Sequence, residues 1–499
     1  MCQRRFIVPA DAGRFLWRMS VARSSSFDPA RFSALRAFLR WSGRRSLRWF
    51  YRETAVVQVG TVPATGPVLF IGNHPNDLPD ILLGLQACPR HVRYLATISA
   101  GAGGASARGY AAMGVIPVTR VRDARKMRAM GIDMAAVNAE AGRRVSQAMA
   151  DGHVVGVFPQ GGVHDVPQIG RLRTGIAMMV LNALDAGAVF DVPVVPFGNQ
   201  YESPLTLGSD ALAVVGRGWS VRGWRDAQVA DGGDAGVSAL TEQLRASLVS
   251  VTRNAPDWES SAERDELVAA VAAVLPPSRA SLLERAARLV PLAEQRVRDR
   301  RSDAPTPHAA RLHTFVTELA QLVHDAGGVR TSARDHARLL HAVGVAADAA
   351  LAPRALLLLQ TPVALLGWAI HLPIFLAVRR VARRMAKART DVVAYTFVPG
   401  LQVVGAGYLL LGLTALAVLA VLGRATLGTL SALLAVLLLL PALADVAVSW
   451  RNGWRGHALV WRVRRWPASR RAEVRRVAEA MRGEWHNGSA TGAPSAGSD

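Results

Sequence analysis

At 499 residues the chain is long enough to bury at least two cores, which argues against a single compact domain. Its net charge is +22, and only Lys126 and Lys387 among 59 basic residues are lysine, so the surface is arginine-rich and attracts the phosphates of nucleic acid, anionic lipid or a phosphorylated substrate. Hydrophobic residues make up 51% and mean hydropathy is positive, which favours lipid, and no zinc-finger, RNP or basic-zipper pattern supports nucleic acid.

Cys2 and Cys88 build no disulfide framework and fit a reducing compartment; Cys88, beside Pro89, reads as structural. Arg4 and Arg5 are not followed by an apolar run with a cleavage site, so no secretory signal is expected. Residues 1–32 are irregular and polar. Ser33 to Glu53 then sets Leu35, Phe38, Leu39, Trp41, Leu47, Trp49 and Phe50 among arginines. This pattern predicts a basic helix suited to an anionic membrane surface, with a surface helix packed on the next domain as the other reading.

From Ala55 the chain alternates β-rich and helical stretches. The β runs are Ala55 to Val59, Val68 to Ile71, Val92 to Ile98, Val115 to Val118, His153 to Phe158 and Val192 to Phe197, with a last one inside Asp210 to Val221. The longest helical stretches among them are Ala129 to Ala150 and Gly175 to Ala186. Such alternation predicts an α/β sandwich with a mixed, largely parallel sheet.

Four of the β runs end in turns that carry chemistry. Gly72, Pro75 and Pro79 stop the second run, which sets His74 at a strand's carboxyl end, where open α/β sheets bind ligands. A neutral imidazole can take a proton from an alcohol if a second group fixes its tautomer, and Asp77 and Asp80 are both placed to be that group. No HxxxH, HxH or CxxC spacing supports a metal there. Gly114 to Arg120 ends in an arginine whose planar guanidinium suits a pair of phosphate oxygens, with Arg122 and Asp123 just beyond. Val157 to Asp165 carries Gly161 and Gly162, whose backbone N–H groups can approach a ligand closely, followed by Arg171, Arg173 and a helix opening at Thr174-Gly175. Val192 to Tyr201 is an apolar strand that ends beside polar groups.

Gly232 to His341 reads as helical, in Thr241 to Val251, Ser261 to Val274, Ser278 to Val297 and Ala309 to Ala326. Pro399 to Gly423 and Thr426 to Ser449 are apolar runs of about 24 residues, enough to cross roughly 30 Å of hydrocarbon as a hairpin. Ala355 to Val378 is apolar as well, but Pro362 and Pro373 are expected to break it, which predicts a re-entrant or interfacial element. Arg379 to Arg389 and Arg451 to Arg475 are basic and face the cytoplasm by the positive-inside rule. The expectation is a protein integral to the inner or plasma membrane, its soluble domain on the cytoplasmic side. Residues 486–499 read as a disordered tail.

In this order the four turns resemble the motif blocks of the glycerolipid acyltransferase superfamily, the phospholipid and glycerol-phosphate acyltransferases. Asn73-His74-Pro75-Asn76 through Asp80 resembles the His-Asp block in its longer form, typical of the branch that acylates glycerol 3-phosphate or dihydroxyacetone phosphate. Gly114 to Arg120 resembles the block whose arginine binds the acceptor phosphate. Phe158-Pro159-Gln160-Gly161-Gly162 resembles Phe-Pro-Glu-Gly, Arg173-Thr174-Gly175 the Lys-Thr-Gly after it, and Val194 to Tyr201 the last block. Ala255-Pro256-Asp257-Trp258 resembles the same branch more loosely.

The resemblance implies an acyltransferase catalytic domain over 55–225. It would be flanked by a basic arm and interfacial helix (1–54), a helical region (226–350), a membrane region (351–450), a basic cytoplasmic helix (451–485) and the tail. It implies that His74 and Asp80 are catalytic and that Asn73, Arg120, Gln160, Gly161, Gly162 and Arg173 bind substrate. The partners it implies are an acyl thioester donor, coenzyme A or carrier protein, a phosphorylated glycerol-type acceptor and anionic membrane lipid, with no metal or redox cofactor. Gln160 departs from the family's glutamate, keeping its size and acceptor oxygen but losing its charge. That departure raises two alternatives: lysophosphatidate or another lysolipid as acceptor, and a non-catalytic lipid-binding protein on the same fold.

Overall fold

The computed structural model describes residues 33–97, 110, 112–129, 131–164, 166–276, 281–302, 304–345, 351–386 and 391–490; the arm over 1–32, Ile98, Asp165 and the end of the tail lie outside them. Helix α1 (Ser33–Phe50) leads into strands β1 (Glu53–Gln58) and β2 (Val68–Gly72), helix α2 (Leu78–Ala87), and strands β3 (Val92–Thr97) and β4 (Ile116–Val118). Helix α3 (Met134–Ala150), β5 (Val154–Val157), α4 (Gly175–Asp185), β6 (Pro193–Tyr201), β7 (Asp210–Val215), β8 (Trp219–Ser220), α5 (Val221–Ala230) and α6 (Val237–Val249) complete this part.

The strands form one sheet in the order β1-β7-β6-β2-β5-β3-β4, with β8 on β6. Pairing is parallel except where β6 meets β7 and β8, so the sheet is mixed and mostly parallel, as the alternating pattern predicts. Strands β2 and β5 are buried at every position, the mark of central strands covered on both faces. Alternation sends Leu69, Ile71, Val155, Val157 and Val194 to a face covered by α3, α4 and α6. It sends Val68, Phe70, Val154, Val195 and Phe197 to the face covered by α1 and α2. Each buried Val, Leu or Phe contributes about 1.5–3 kcal/mol. At Gly72 a Cβ would sit 2.3 Å from the Phe197 ring, so only glycine lets β2 end there against β6.

A second core is helical. Helices α7 (Trp258–Val274), α8 (Leu282–Arg300), α9 (Pro307–Asp325) and α10 (Ala333–Ala342) precede three long helices, α11 (Arg354–Met385), α12 (Asp391–Val421) and α13 (Leu427–Arg464), and then α14 (Ala468–Ala490). Leu459 and Val463 of α13 and Val474, Val477, Met481 and Trp485 of α14 pack into the core of α7 to α10. The expected single basic helix over 451–485 is therefore corrected: its first part prolongs α13 and the rest is α14. Pro467, which has no N–H to continue a helix, stands between them. The expected tail begins as helix, because α14 is tied down by Glu484, whose carboxylate meets His308 at 2.6 Å and Arg311 at 2.7 Å.

Helices α11, α12 and α13 are each long and apolar enough to cross a membrane. Contrary to expectation, Pro362 and Pro373 lie inside α11 without interrupting it as a helix, but α11 bends where it passes from α13, beside Gly367, to α12, beside Ile374. Close approach of α11 and α13 relies on Gly367, where a Cβ would lie 2.5 Å from the Leu443 carbonyl oxygen. Helix α1 does not lie free on a surface: Leu47 and Phe50 are buried, and Arg45 and Trp49 bind Asp445 of α13 at 2.5 and 2.6 Å. Phe38 and Trp41 remain exposed.

Candidate active site

The central strand β2 delivers His74 to the sheet's carboxyl edge, between β5 and β6, and the turn after it folds back into α2. Pro79 in the first turn of α2 starts that helix where its missing N–H costs nothing, and places Asp80 beside the orphan N–H groups of the helix start. Asp77 takes a left-handed φ of 53°, unusual for a residue with a side chain, and this reverses the chain so that Asp80 points back at His74.

His74 Nδ1 and Asp80 Oδ2 are 2.8 Å apart. Of the two carboxylates the sequence offers, Asp80 is the one that orients the ring. Asp80 is fully buried and accepts from the Tyr201 hydroxyl at 2.6 Å and from the Asn76 backbone N–H at 2.7 Å. Burial pushes its carboxyl up from the ordinary range, opposed by the bonds to His74, Tyr201 and Asn76. Burial also holds the Tyr201 phenol well above its usual range, so the phenol keeps its proton and donates. With Nδ1–H given to Asp80, the lone pair of His74 is on Nε2. Phe158 stacks on the imidazole with ring centres 4.3 Å apart and fixes its plane.

His74 opens onto a cavity of about 1630 Å³, whose wall also carries Arg120, Gly161, Gly162 and Arg173. Arg120 donates from Nε to Asp123 at 2.8 Å and from a terminal nitrogen to the Gly161 carbonyl at 3.4 Å, which aims it across the glycine turn. Arg173 is exposed to the cavity and makes no ion pair among the described residues. Its Cγ lies 3.1 Å from the place of a Cβ on Gly161, which adopts φ 77°, so that glycine is required by both conformation and space. Apolar residues such as Ile81, Leu95, Val118, Ile176 and Met179 line the rest, and Tyr395 of α12 brings the wall up to the long apolar helices.

Two expected substrate ligands are placed elsewhere. Asn73 is turned into the protein, where its amide and Asn199 exchange bonds of 2.6 to 3.0 Å that tie β2 to β6. Gln160 is buried off the cavity wall, and its side-chain oxygen accepts the His74 backbone N–H at 3.1 Å. A neutral amide oxygen accepts this bond as a carboxylate would, though more weakly, so the exchange of glutamate for glutamine leaves a support of His74 in place. Three supporting residues were not singled out from the sequence: Tyr201, Phe158 and Tyr51, which accepts from the Asn76 amide at 2.6 Å. The polar end of an otherwise apolar β6 was the only sign of the first.

The acyltransferase family model matches residues 54–199. Glycerol-3-phosphate O-acyltransferase 2 of Saccharomyces cerevisiae is 37% identical over 106 residues, which is 21% of this chain and 14% of the yeast protein. Glycerol-3-phosphate O-acyltransferase 1 of the same yeast is 34% identical over 73 residues, 15% of this chain and 10% of that protein. An uncharacterized acyltransferase of Schizosaccharomyces pombe is 27% identical over 117 residues, 23% and 17% of the two chains. The matches thus span at most 17% of these relatives' length. Residues 54–199 form an acyltransferase domain, and its relatives support a place in the glycerolipid acyltransferase superfamily, similar to the glycerol-3-phosphate-acyltransferase branch.

Proposed function

We propose that the protein transfers a fatty acyl group from an acyl-coenzyme A or acyl-carrier-protein thioester to a hydroxyl of glycerol 3-phosphate or dihydroxyacetone phosphate. The observation that carries this is the His74–Asp80 pair opening onto a cavity that also holds Arg120 and Arg173. The Nε2 of His74 takes the acceptor's hydroxyl proton as its oxygen attacks the thioester carbonyl, and Asp80 stabilises the imidazolium. The Gly161 N–H is engaged by the Phe158 carbonyl at 3.1 Å, so the Gly162 N–H is the donor left to hold the tetrahedral oxyanion. Collapse breaks the carbon–sulfur bond, and the departing thiolate receives the proton from His74. The guanidinium groups of Arg120 and Arg173 hold the acceptor's phosphate. No metal or redox cofactor enters this scheme.

On this reading the domain is an acyltransferase-like αβ sandwich, and α12 and α13 form a membrane-spanning hairpin in the inner or plasma membrane. The cytoplasmic placement of the domain is supported by the way α11 is seated. It follows α13 outward, with Leu357 beside Gly453 and Gly367 beside Leu443, then α12 back inward, with Ile374 beside Gly407 and Val378 beside Gly400. Both ends of α11 are thus level with the domain-facing ends of the hairpin, as a re-entrant element requires. The place of Gln160, off the cavity and bonded to the His74 backbone, argues against both the non-catalytic reading and a change of acceptor by that residue.

The test is mass spectrometry of lipid products from membranes given labelled acyl donor and a panel of acceptors. Product from glycerol 3-phosphate or dihydroxyacetone phosphate is expected, reduced about 10²- to 10⁴-fold in a folded His74→Ala variant. Preference for a lysolipid would refute the acceptor, and undiminished activity in the variant would refute the mechanism.

A further inference from the structure

A second cavity, of about 140 Å³, lies away from the active site between α1 and the three long helices. It is lined by apolar groups such as Phe50, Phe375, Val378, Phe397, Val404 and Val448, and one cation, Arg451, stands on its wall. An apolar cavity of about 150 Å³ holds a benzene molecule, so this one takes roughly six carbons of a hydrocarbon chain. Arg451 directly follows the apolar stretch of α13, at the domain-facing end of the bundle. Its Nε is buried without a hydrogen-bond partner, and no carboxylate among the described residues pairs with its guanidinium, which lies 5.9 Å from the centre of the Trp368 ring. The guanidinium groups of Arg451 and Arg455 come together at Gly208, a turn of the acyltransferase domain. The neighbouring acid, Asp445, is already engaged by Arg45 and Trp49.

We propose that this cavity is a binding site for an anionic diacyl phospholipid of the surrounding bilayer, with the first part of one acyl chain inside it and the phosphate on Arg451, helped by Arg455. A partly buried guanidinium without a counter-ion calls for an anion, and the apolar walls beside it, formed by helices fit to cross a membrane, call for a chain attached to that anion. The lipid bridges α1, the membrane helices and the Gly208 turn, and so seats the soluble domain on the bilayer. The site uses none of the residues of the His74 pocket, so His74→Ala is expected to leave it intact, and the two readings fail separately.

Native mass spectrometry of the full-length protein in detergent, with phosphatidylglycerol, phosphatidylcholine or lysophosphatidate added, tests it. One phosphatidylglycerol is expected to stay bound where phosphatidylcholine does not. Arg451→Gln should weaken that binding about tenfold, as expected for loss of a charge-assisted contact. Val448→Trp, which fills the cavity and keeps the cation, should weaken it as well. Circular dichroism of each variant excludes unfolding. Equal retention of phosphatidylcholine, unchanged binding in both variants, or preferred retention of lysophosphatidate, which would make the site one for reaction product, overturns the proposal.

Discussion

Strand β6 ends at Tyr201 and Glu202 follows it, neighbours in sequence that serve two differently built acidic sites. Tyr201 donates to Asp80, which faces only neutral donors and an imidazole. Glu202 joins Asp210 around Arg52, whose guanidinium meets the two carboxylates at 3.4 and 2.6 Å, with Arg334 of α10 reaching Asp210 at 3.7 Å and also pairing with Glu53. Burial pushes the carboxyls of Asp80, Asp210 and Glu202 up alike. The difference is in what opposes it. An arginine keeps its proton throughout, so at Asp210 the negative charge is neutralised for good and the contact anchors the sheet to the helical core. Among the described residues no permanent cation pairs with Asp80, and on the proposed mechanism its charge remains available to a histidine that gains and loses a proton in each turnover.

The sharpest way to break this contrast is Asp80→Asn. It keeps the shape but lets the imidazole take the wrong tautomer, so kcat should fall about 10³- to 10⁴-fold. The thermal midpoint should hold or rise, because a buried carboxylate is removed. A kcat within tenfold of wild type would mean that Asp80 is only structural. The opposite pattern is expected at the anchor. Arg52→Met leaves two buried carboxylates facing each other and should cost about 3–5 kcal/mol in denaturant unfolding, with kcat of the remaining folded protein unchanged. Lost turnover at full stability would put Arg52 in the catalytic machinery instead.

The sequence made one side of this contrast far easier to read than the other. His74, Arg120, Gly161 and Arg173 stand at the ends of apolar runs, and strand ends in an α/β sheet converge on one edge, so order along the chain was enough to gather them. Asn73 and Gln160 belong to the same blocks, but nothing local shows which way a side chain turns, and both support backbone rather than ligand. Asp80 was legible while its partner Tyr201, 121 residues on, was not, since a long-range bond leaves no periodic trace. The anchor was invisible for the same reason. It depends on β7 pairing with β1 and on α10 packing beside them, and a helix's apolar face does not say what covers it. The union of α13 and α14 with the core of α7 to α10 went unread on that account too.

A smaller effect lies between the two sites. Tyr201→Phe removes one donor from Asp80 and leaves the buried carboxylate short of a bond, which should cost about 1–3 kcal/mol of stability. Because Asp80 then holds its proton more readily, the acid limb of the kcat profile should move to higher pH. A loss of stability without that movement would show that the phenol fills space and does not tune the carboxylate.

The last expected effect isolates the anchor from the pocket. Burial first, and then Asp210, push the Glu202 carboxyl up to about 7. The folded chain therefore holds this proton more tightly than the unfolded chain does. The resulting stabilisation is present in full below the ordinary glutamate range and is lost as pH rises through about 7. Glu202→Gln, uncharged at every pH, should flatten the fall of the thermal midpoint across that window while leaving kcat/KM to follow His74 alone. If wild type and variant lose stability in parallel, Arg52 already keeps Glu202 ionised in the folded chain, and the anchor is an ion triad at all pH values rather than one that needs a proton.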